Sequence, residues 1–423
     1  MTSELTNCSP RLSIVAEAAA NGDWVPLDEL WAELTESGGP LMESTSDENT
    51  TLVTFLWRGP MDTRNVLVLF CTAPAEGGFD EVMMTRLPCT DVWYRSYALP
   101  SQLRTTYLFS VNDSLVPYTS YADVMIRLQG YSTDPLNPHT YTLQSSPHEF
   151  KVSVLEFPKA PRQPWNIQRK GVPKGQTKMH QLHSSILDTD HHISVYLPPD
   201  YSADGDPYHV LILFDGWSYY NFAAITTVLD NLQYVNRIPP YVIVMHTNQD
   251  QEIRATELPC YEPFQRFLIE ELMPWVHARY HITSDPERTV IAGSCFGGLA
   301  ASYAALNAPE RFGRVISQSG SFWWPGKGED SGNDWLIRRY EASPRLPIRF
   351  ALEIGSLETA ALDYDPMTAH RRFRDVLVAK GYSVDYQEYI GGHDMVCWRG
   401  TIVDRLLSFH PKPAVMQENT QKA

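Results

Sequence analysis

The chain has 423 residues, more than a single hydrophobic core usually accommodates, so we expect two domains. Apolar residues make up 43% and charged residues 20%, and no apolar run approaches the roughly eighteen residues of a membrane-spanning helix. The net charge of −16 repels phosphate backbones and anionic lipid, which argues against nucleic acid and membranes as partners.

The first part of the sequence predicts a small β-sandwich over residues 1–155. Short apolar or alternating runs are separated by turn residues, the pattern typical of such a domain. These runs are Thr51–Trp57, Asn65–Cys71, Asp91–Tyr97 and Thr105–Val111. Prolines are frequent across residues 131–175, which excludes a regular helix and indicates a linker; we place the domain boundary at 156–175.

After about residue 176 the pattern changes to apolar strands that alternate with helices. The predicted strands are His192–Leu197, Tyr208–Phe214, Tyr241–Met245, Thr289–Ala292, Arg349–Ile354 and Val384–Tyr389, and the predicted helices are 263–280, 298–307 and 366–381. Continuous apolar strands between helices predict a mostly parallel sheet that is covered on both faces. The sequence therefore predicts an α/β catalytic domain over 176–412, followed by a disordered polar tail at 413–423.

The segment Gly293-Ser294-Cys295-Phe296-Gly297 joins a predicted strand to a helix of small residues. This is the context of a nucleophile elbow, in which glycines flank the nucleophile because larger side chains would collide with the strand and the helix. Cys295 occupies the nucleophile position, whereas a frame centred on Ser294 would lose both glycines. The alternative interpretation is a buried structural thiol in a similar turn.

A histidine on the loop after the last predicted strand is a candidate general base. His393 lies in Ile390-Gly-Gly-His-Asp394, at the position where folds with a nucleophile elbow carry the general base. The chain order nucleophile, acid, histidine also fits. Glu358 follows the preceding strand and is our choice of acid, with Asp363 and Asp365 as alternatives. A solvated loop histidine is the competing interpretation.

An oxyanion hole is expected from two backbone amides. The first is the amide of Phe296, at the start of the helix behind the nucleophile. The second is expected in Asp215-Gly216-Trp217, where Gly216 would let the backbone approach and Trp217 would donate. An ordinary turn explains Asp215-Gly216 equally well.

Cysteine and histidine spacing give no sign of a metal or a disulfide framework. The six cysteines form no Cys-x-x-Cys pair, and the adjacent His191 and His192 should point apart. The segment Met1–Thr6 lacks the basic region and apolar core of a secretory signal. We therefore expect reduced thiols, a cytoplasmic location, no metal and no cofactor.

Several further motifs extend over most of the chain. They are Thr54–Arg58, Thr90–Trp93, Asp134–Asn137, Glu257–Cys260, Gly297–Ala300, Pro309–Gly313, Ser317–Pro325 and Gly391–Gly400. In these motifs the sequence resembles the enterobactin (enterochelin) esterase family. The resemblance implies an N-terminal β-sandwich before an α/β-hydrolase domain, and cytoplasmic cleavage of the serine trilactone of a catecholate siderophore.

The resemblance also implies roles for individual residues. It places Cys295 at the nucleophile and His393 at the base. Arg254 and Arg399 lie in matching segments and could meet an anionic ferric catecholate; Trp323 and Trp324 could stack on catechol rings. Surface ion pairs and core aromatics are the competing interpretations. The substrate would be a small-molecule ester, and iron would enter only as part of a bound siderophore.

The sequence departs from the family at one decisive position, because the family carries serine where this chain has Cys295. A thiolate cleaves esters, but its thioester product also passes acyl groups to amines, alcohols or thiols. Three explanations stay open: siderophore hydrolysis is retained, the chain is an acyltransferase or thioesterase with an acyl carrier protein as possible partner, or the cysteine is an engineered replacement. A non-catalytic binder of a siderophore or another ligand is a further alternative.

Overall fold

The computed structural model describes residues 9–70, 79–116, 127, 130–145, 148–328, 331–358 and 365–411. The chain divides into two compact units. The first holds the described parts of Met1–Arg162, Ile354–Met367 and Glu388–Cys397, and the second those of Gln163–Glu353, Thr368–Gln387 and Trp398–Ala423. The contiguous domain boundaries that the sequence suggests stay a prediction, and the tail at 413–423 lies outside the described residues.

Two helices precede the strands of the first unit, α1 (Pro10–Ala20) and α2 (Val25–Ser37). At the start of α1, the Leu12 backbone N–H donates to the Ser9 hydroxyl oxygen at 3.1 Å, which satisfies one of the N–H groups that a helix leaves unpaired. Buried leucines of both helices contact Leu41 and Leu56 of the neighbouring sheet. Neither helix is among the elements predicted from the sequence.

The strands of the first unit form two antiparallel sheets. They are β1 (Leu41–Ser44), β2 (Thr50–Arg58), β3 (Val66–Phe70), β4 (Thr85–Arg86), β5 (Val92–Pro100), β6 (Arg104–Val111), β7 (Thr140–Ser145) and β8 (His148–Glu156). The strand orders are β1-β2-β5-β4 and β3-β6-β8-β7. Val53 and Phe55 of one sheet share a buried core with Val68, Phe109 and Leu155 of the other, which confirms the predicted sandwich.

The proline-rich segment 131–175 is only partly a linker. It contains β7 and β8, which pair with each other, and β8 also pairs with β6. These two strands belong to the sandwich, in line with its predicted extent of 1–155, although the prolines of 131–175 indicated a linker over the whole segment. The reason is that proline blocks a helix but leaves strands free to form between the prolines. Residues 157–175 contain neither helix nor strand, as expected.

An eight-stranded sheet carries the α/β part of the chain. Its strands are β9 (Gln176–Ser184), β10 (Thr189–Leu197), β11 (His209–Leu213), β12 (Tyr241–Thr247), β13 (Thr289–Ser294), β14 (Arg314–Gln318), β15 (Arg349–Gly355) and β16 (Ser383–Tyr389). The order is β16-β15-β14-β13-β11-β12-β10-β9. The pairs from β12 through β15 are parallel, whereas β9 and β10 add antiparallel strands at one edge.

Helices accompany the strands of this sheet. They are α3 (Gly216–Asn221), α4 (Ile225–Tyr234), α5 (Gln251–Glu257), α6 (Glu262–Arg266), α7 (Met273–His277), α8 (Phe296–Asn307), α9 (Trp335–Ala342), α10 (Pro366–Ala379) and α11 (Met395–Ser408). A π-helical segment, Phe267–Leu272, joins α6 to α7. Every residue of β13 is buried, which explains why its sequence is continuously apolar or small. No helix of the described residues has the length and apolarity to cross a membrane.

Candidate active site

Cys295 stands at a strained turn between β13 and α8. Its backbone has φ 54° and ψ −123°, a conformation that costs energy for any residue with a Cβ. A Cβ on Gly293 would lie 2.5 Å from the carbonyl carbon of Gly297, and one on Gly297 would lie 3.1 Å from Asp215 Oδ2. Close packing therefore requires glycine at 293, whereas a side chain at 297 would press on the neighbouring Asp215 and Phe214. Ser294 is the buried last residue of β13, so the tip of the turn is Cys295.

The loop after β14 contacts the tip of this turn. Cys295 Sγ lies 3.5 Å from Ser321 Oγ, and the Ser321 backbone N–H donates to the Cys295 carbonyl at 3.1 Å. The Cys295 N–H in turn donates to the Gln318 carbonyl at 3.0 Å. Sequence reasoning assigned the motif containing Ser321 to the family but missed this contact with the thiol, because nothing local in the sequence points to it.

The predicted oxyanion donors lie on two separate loops. Phe296 is in the first turn of α8, where backbone N–H groups have no partner within the helix and carry the positive end of its dipole. Gly216 is required by its surroundings, since a Cβ there would lie 2.6 Å from Met245 Cβ. The Trp217 N–H donates to Thr247 Oγ1 at 2.9 Å. As an oxyanion donor, Trp217 would have to share or exchange that hydrogen bond, so its role stays a prediction.

Arg254 is held by the loop that carries Gly216. Its Nε and Nη2 donate to the two carboxylate oxygens of Asp215 at 2.5 and 2.8 Å, and the two side chains are only 15% and 12% exposed. Arg254 Nη2 also lies 3.5 Å from the Ser294 carbonyl, and its Cζ lies 5.8 Å from the centre of the Phe296 ring. Arg254 therefore joins this loop to the turn at Cys295. Its predicted contact with substrate is untested.

His393 and Glu358 form a hydrogen-bonded pair in the first unit. His393 Nδ1 lies 2.7 Å from Glu358 Oε2; the carboxylate side chain is 4% exposed and the imidazole 40%. The Gly355 N–H donates to the other carboxylate oxygen at 2.9 Å. A carboxylate at Nδ1 fixes the ring so that Nε2 is the basic nitrogen. Of the alternative acids, Asp365 is exposed and Asp363 lies outside the described residues.

The complete catalytic triad stays a prediction. Cys295 belongs to the second compact unit, and the pair of His393 and Glu358 belongs to the first. What the geometry supplies is a thiol at a strained turn and, independently, an imidazole whose partner is a buried carboxylate. These are the parts that nucleophilic acyl chemistry requires.

Comparisons with known proteins identify the family of the chain. Residues 52–166 match the family described as "Enterochelin esterase, N-terminal", and residues 184–409 match "Putative esterase". The iron(III) enterobactin esterase of Escherichia coli O6:H1 is 31% identical over 387 residues, covering 87% of this chain and 93% of that protein. The chain belongs to the enterobactin esterase family.

Solved structures support the same assignment. The ferric enterobactin esterase of Salmonella typhimurium is 30% identical with a TM-score of 0.74, covering 90% of this chain and 98% of that one. The Shigella flexneri enterobactin esterase, solved in the presence of enterobactin, is 29% identical with a TM-score of 0.71, covering 88% and 96%. This member of the enterobactin esterase family is therefore an esterase with the α/β-hydrolase fold and an N-terminal domain of strands, as the sequence predicts.

Aromatic side chains surround Phe296 in this esterase. The ring centres of Phe296 and Trp324 are 5.3 Å apart, those of Phe296 and Trp323 6.3 Å, and those of the two tryptophans 6.1 Å. Both tryptophans are partly buried against the core of the second unit. Arg399 Nε donates to Gln163 Oε1 at 2.7 Å. The tryptophans thus lie beside the residue that follows Cys295, whereas Arg399 contacts the segment before β9.

Within the described residues, the group His191, His246 and Glu257 has the composition and spacing to hold a metal ion, with ligand atoms within 4.8 Å of one another. However, His191 Nδ1 and His246 Nε2 are hydrogen-bonded at 3.0 Å, and Asn248 Nδ2 donates to Glu257 at 2.6 Å. The two ring nitrogens face each other instead of a common point. Burial lowers the pKa of His191 to about 4 and that of His246 well below its ordinary value, and it raises the pKa of Glu257 to about 7. We therefore interpret the group as two buried hydrogen-bonded pairs, His191 with His246 and Asn248 with Glu257, in which His191 Nε2 lies 4.0 Å from Glu257 Oε1.

Proposed function

We propose that the protein hydrolyses the ester bonds of a catecholate siderophore through an acyl-enzyme on Cys295. The observation that carries this proposal is the thiol at a strained turn that is flanked by two tightly packed glycines. The names of the relatives, iron(III) enterobactin esterase and iron(III) salmochelin esterase, supply the substrate class. Iron enters as part of the substrate, and the chemistry needs no resident cofactor. The proposed location is the cytoplasm.

The proposed mechanism begins with transfer of the thiol proton of Cys295 to Nε2 of His393, whose ring is oriented by Glu358. The thiolate attacks the ester carbonyl, and the backbone N–H of Phe296 stabilises the oxyanion, joined by that of Trp217 as it exchanges its hydrogen bond to Thr247 for one to the oxyanion. Collapse of this intermediate expels the alkoxide, which takes the proton from the imidazolium and leaves as an alcohol. Water, deprotonated by the same imidazole, then attacks the thioester and releases the carboxylic acid and the thiol.

The substrate pocket is proposed to include Trp323 and Trp324, which adjoin Phe296 and offer flat faces to catechol rings. Arg399 is proposed to meet the negative charge of the ferric catecholate. Arg254 is the weaker candidate for that contact, because Asp215 already accepts two of its hydrogen bonds.

Acyl transfer is the second candidate function, favoured by the cysteine at position 295. A thioester reacts readily with amines and thiols, so an acyl group on Cys295 can pass to such an acceptor, including one on an acyl carrier protein. This alternative uses the same residues and differs only in the second nucleophile.

Intact-protein mass spectrometry with a tris-catecholate serine trilactone tests the proposal. We expect a transient acyl adduct on Cys295 that disappears in water, and no adduct on Cys295→Ala. An adduct that persists until an amine or thiol is added would favour acyl transfer. Tight binding of the trilactone without any adduct or product would contradict both reactions and favour a binding protein.

A further inference from the structure

The residue that follows the proposed base is anchored within the first unit. Asp394 is 7% exposed, and its Oδ2 accepts hydrogen bonds from the Thr106 backbone N–H at 2.6 Å and from Thr106 Oγ1 at 2.7 Å. Its Oδ1 accepts from Tyr141 Oη at 3.2 Å and from the Val396 N–H at 3.0 Å. Thr106 lies on β6 and Tyr141 on β7, so two strands of the N-terminal sandwich bind the carboxylate of Asp394.

We infer that Asp394 is a positioning residue, through which the N-terminal sandwich fixes the loop that carries His393. The inference rests on the proposed function only in that His393 is the base. Because Asp394 is covalently next to His393, the hydrogen bonds to its carboxylate restrict the backbone that orients the imidazole. Hydrogen bonds to a charged acceptor are also stronger than those between neutral groups.

The two carboxylate oxygens of Asp394 bind different parts of the chain. The bond from Val396 to Oδ1 caps the start of α11, as an aspartate commonly does at a helix N-terminus. The bonds from Thr106 to Oδ2 reach a residue that is 288 positions away in the sequence, and they contribute nothing to that cap. The bonds from the Thr106 and Tyr141 side chains can therefore be removed while the helix cap at Asp394 remains. The bond from the Thr106 backbone N–H and a longer contact of 3.5 Å from Thr105 Oγ1 also remain, so this change weakens the anchor without abolishing it.

Other contacts show how closely the loop is packed against β6. The Cys397 thiol donates to the Arg104 carbonyl at 3.1 Å, one turn after Asp394. On the other side of His393, a Cβ on Gly391 would lie 2.7 Å from Cys397 Sγ and 2.8 Å from the Tyr389 ring. The Gly391 carbonyl accepts the Leu357 N–H at 2.9 Å, which joins this loop to the one that carries Glu358.

The glycines before His393 make an external anchor useful. Gly391 and Gly392 allow the backbone more conformations than other residues would. A base must stay within hydrogen-bond reach of its proton, and a displacement of about 1 Å lowers a rate by about 100-fold. Holding Asp394 from the sandwich removes much of the freedom that the two glycines would otherwise give the imidazole.

The test compares Thr106→Val/Tyr141→Phe with Thr54→Val in the full-length protein. Thr54 is a matched control, because its hydroxyl makes a buried hydrogen bond with Ser96 at 2.7 Å in the same sandwich, yet neither residue bonds to Asp394. We expect the double variant to lower kcat for ester hydrolysis by about 10-fold and to leave KM within about twofold, because the imidazole is misplaced while the substrate contacts remain. Thr54→Val should change neither constant.

A second readout needs no ester. The rate at which iodoacetamide alkylates Cys295, followed by peptide mass spectrometry, should fall in Thr106→Val/Tyr141→Phe and in Asp394→Ala but not in Thr54→Val. Asp394→Asn, which keeps an acceptor oxygen, should recover part of what Asp394→Ala loses.

The outcomes separate this inference from the proposed function. If His393→Ala is inactive but the Thr106 and Asp394 variants keep full kcat and lose only thermal stability, the anchor is merely structural and the inference is overturned. If His393→Ala itself keeps full activity, the proposed function fails first. A loss of kcat in Thr54→Val equal to that of the double variant would also overturn the inference, because it would show a general effect of weakening the sandwich.

Discussion

Arg254 illustrates how a contact observed in the structure changes the role expected of one side chain. Sequence resemblance suggests that it meets an anionic substrate, whereas its guanidinium donates to both oxygens of Asp215 and approaches the carbonyl of Ser294. An arginine fork that is bound to a carboxylate on two nitrogens is mainly a geometric restraint.

We therefore predict that Arg254→Met lowers kcat/KM by a similar factor, about 10-fold or more, for a neutral aryl ester and for a ferric catecholate ester. The reason is that losing the two hydrogen bonds from Arg254 to Asp215 disturbs the loop at Gly216, whatever the charge of the substrate. Steady-state kinetics with both esters provide the measurement. A loss confined to the ferric substrate would instead establish a direct substrate contact. Arg266→Met is the control, since Arg266 pairs with Glu270 on an exposed helix surface.

The identity of the nucleophile predicts how much its acid matters. A thiol ionises with the help of an imidazole alone, whereas a serine hydroxyl depends on a correctly oriented imidazole that becomes positively charged. We expect Glu358→Gln to lower kcat by about 10-fold in the cysteine enzyme and by at least about 100-fold in a Cys295→Ser background. Steady-state kinetics of the parent, of Glu358→Gln, of Cys295→Ser and of the double variant measure the difference. Equal losses of kcat in both backgrounds would contradict the prediction.

At the scale of elements, the turn from β13 to α8 follows from its glycines. Gly293→Ala would place a Cβ 2.5 Å from backbone atoms of Gly297, which neither the strand nor the helix can avoid. We expect it to lower the free energy of unfolding by about 3 kcal/mol or more. Gly205→Ala is the comparison, because Gly205 has a φ of +92° but open space around it, so the cost should be about 1 kcal/mol.

Urea unfolding of both glycine variants checks this prediction. A cost at Gly293 no larger than that at Gly205 would mean that the turn relaxes and that glycine is not sterically required at 293.

Some elements of the fold follow from the local sequence and others do not. The glycines at 293 and 297 identify the turn by their spacing around Cys295, and the steric reason for Gly293 is local because its close contact is Gly297. Most central strands follow from their apolar runs. The helices α1 and α2 and the strands β7 and β8 were missed because their evidence is not local: proline-rich surroundings hide the strands, and the leucines of the helices make sense only against Leu41 and Leu56 of a sheet. The contacts of Ser321, Thr247 and Asp394 likewise join residues that are distant in the sequence.

At the scale of the whole molecule, the buried imidazoles of His191 and His246 link stability to pH. Burial keeps both neutral by lowering their pKa values, that of His191 to about 4 from an ordinary 6.5. The stability that depends on their neutral form is present above pH 6.5 and is lost as the pH falls toward 4, because the unfolded chain binds these protons first. Glu257, whose pKa is raised to about 7, acts in the opposite direction over part of this range.

We expect His191→Phe/His246→Leu to flatten this dependence. Between pH 7 and pH 5, the shift at His191 alone should make the parent lose about 2 kcal/mol more than the variant does, and His246 acts in the same direction; urea unfolding at each pH is the measurement. The apolar pair suits the site, because the His191 ring already stacks on Phe267 with centres 4.3 Å apart. Identical pH curves for the two proteins would show that the imidazoles titrate normally in the folded state.

The compact unit built on the N-terminal strands also includes Ile354–Met367 and Glu388–Cys397, so it contains the proposed acid and base of the enzyme. A fragment that starts at Gln163 would retain every side chain assigned to the chemistry, yet Asp394 would lose Thr106 and Tyr141. For protein engineering, we therefore do not expect the sandwich to be removable without an effect on activity. A protein truncated to its esterase-like portion should have a less well positioned general base. A fusion partner is better attached at a site outside the paired strands of the sandwich.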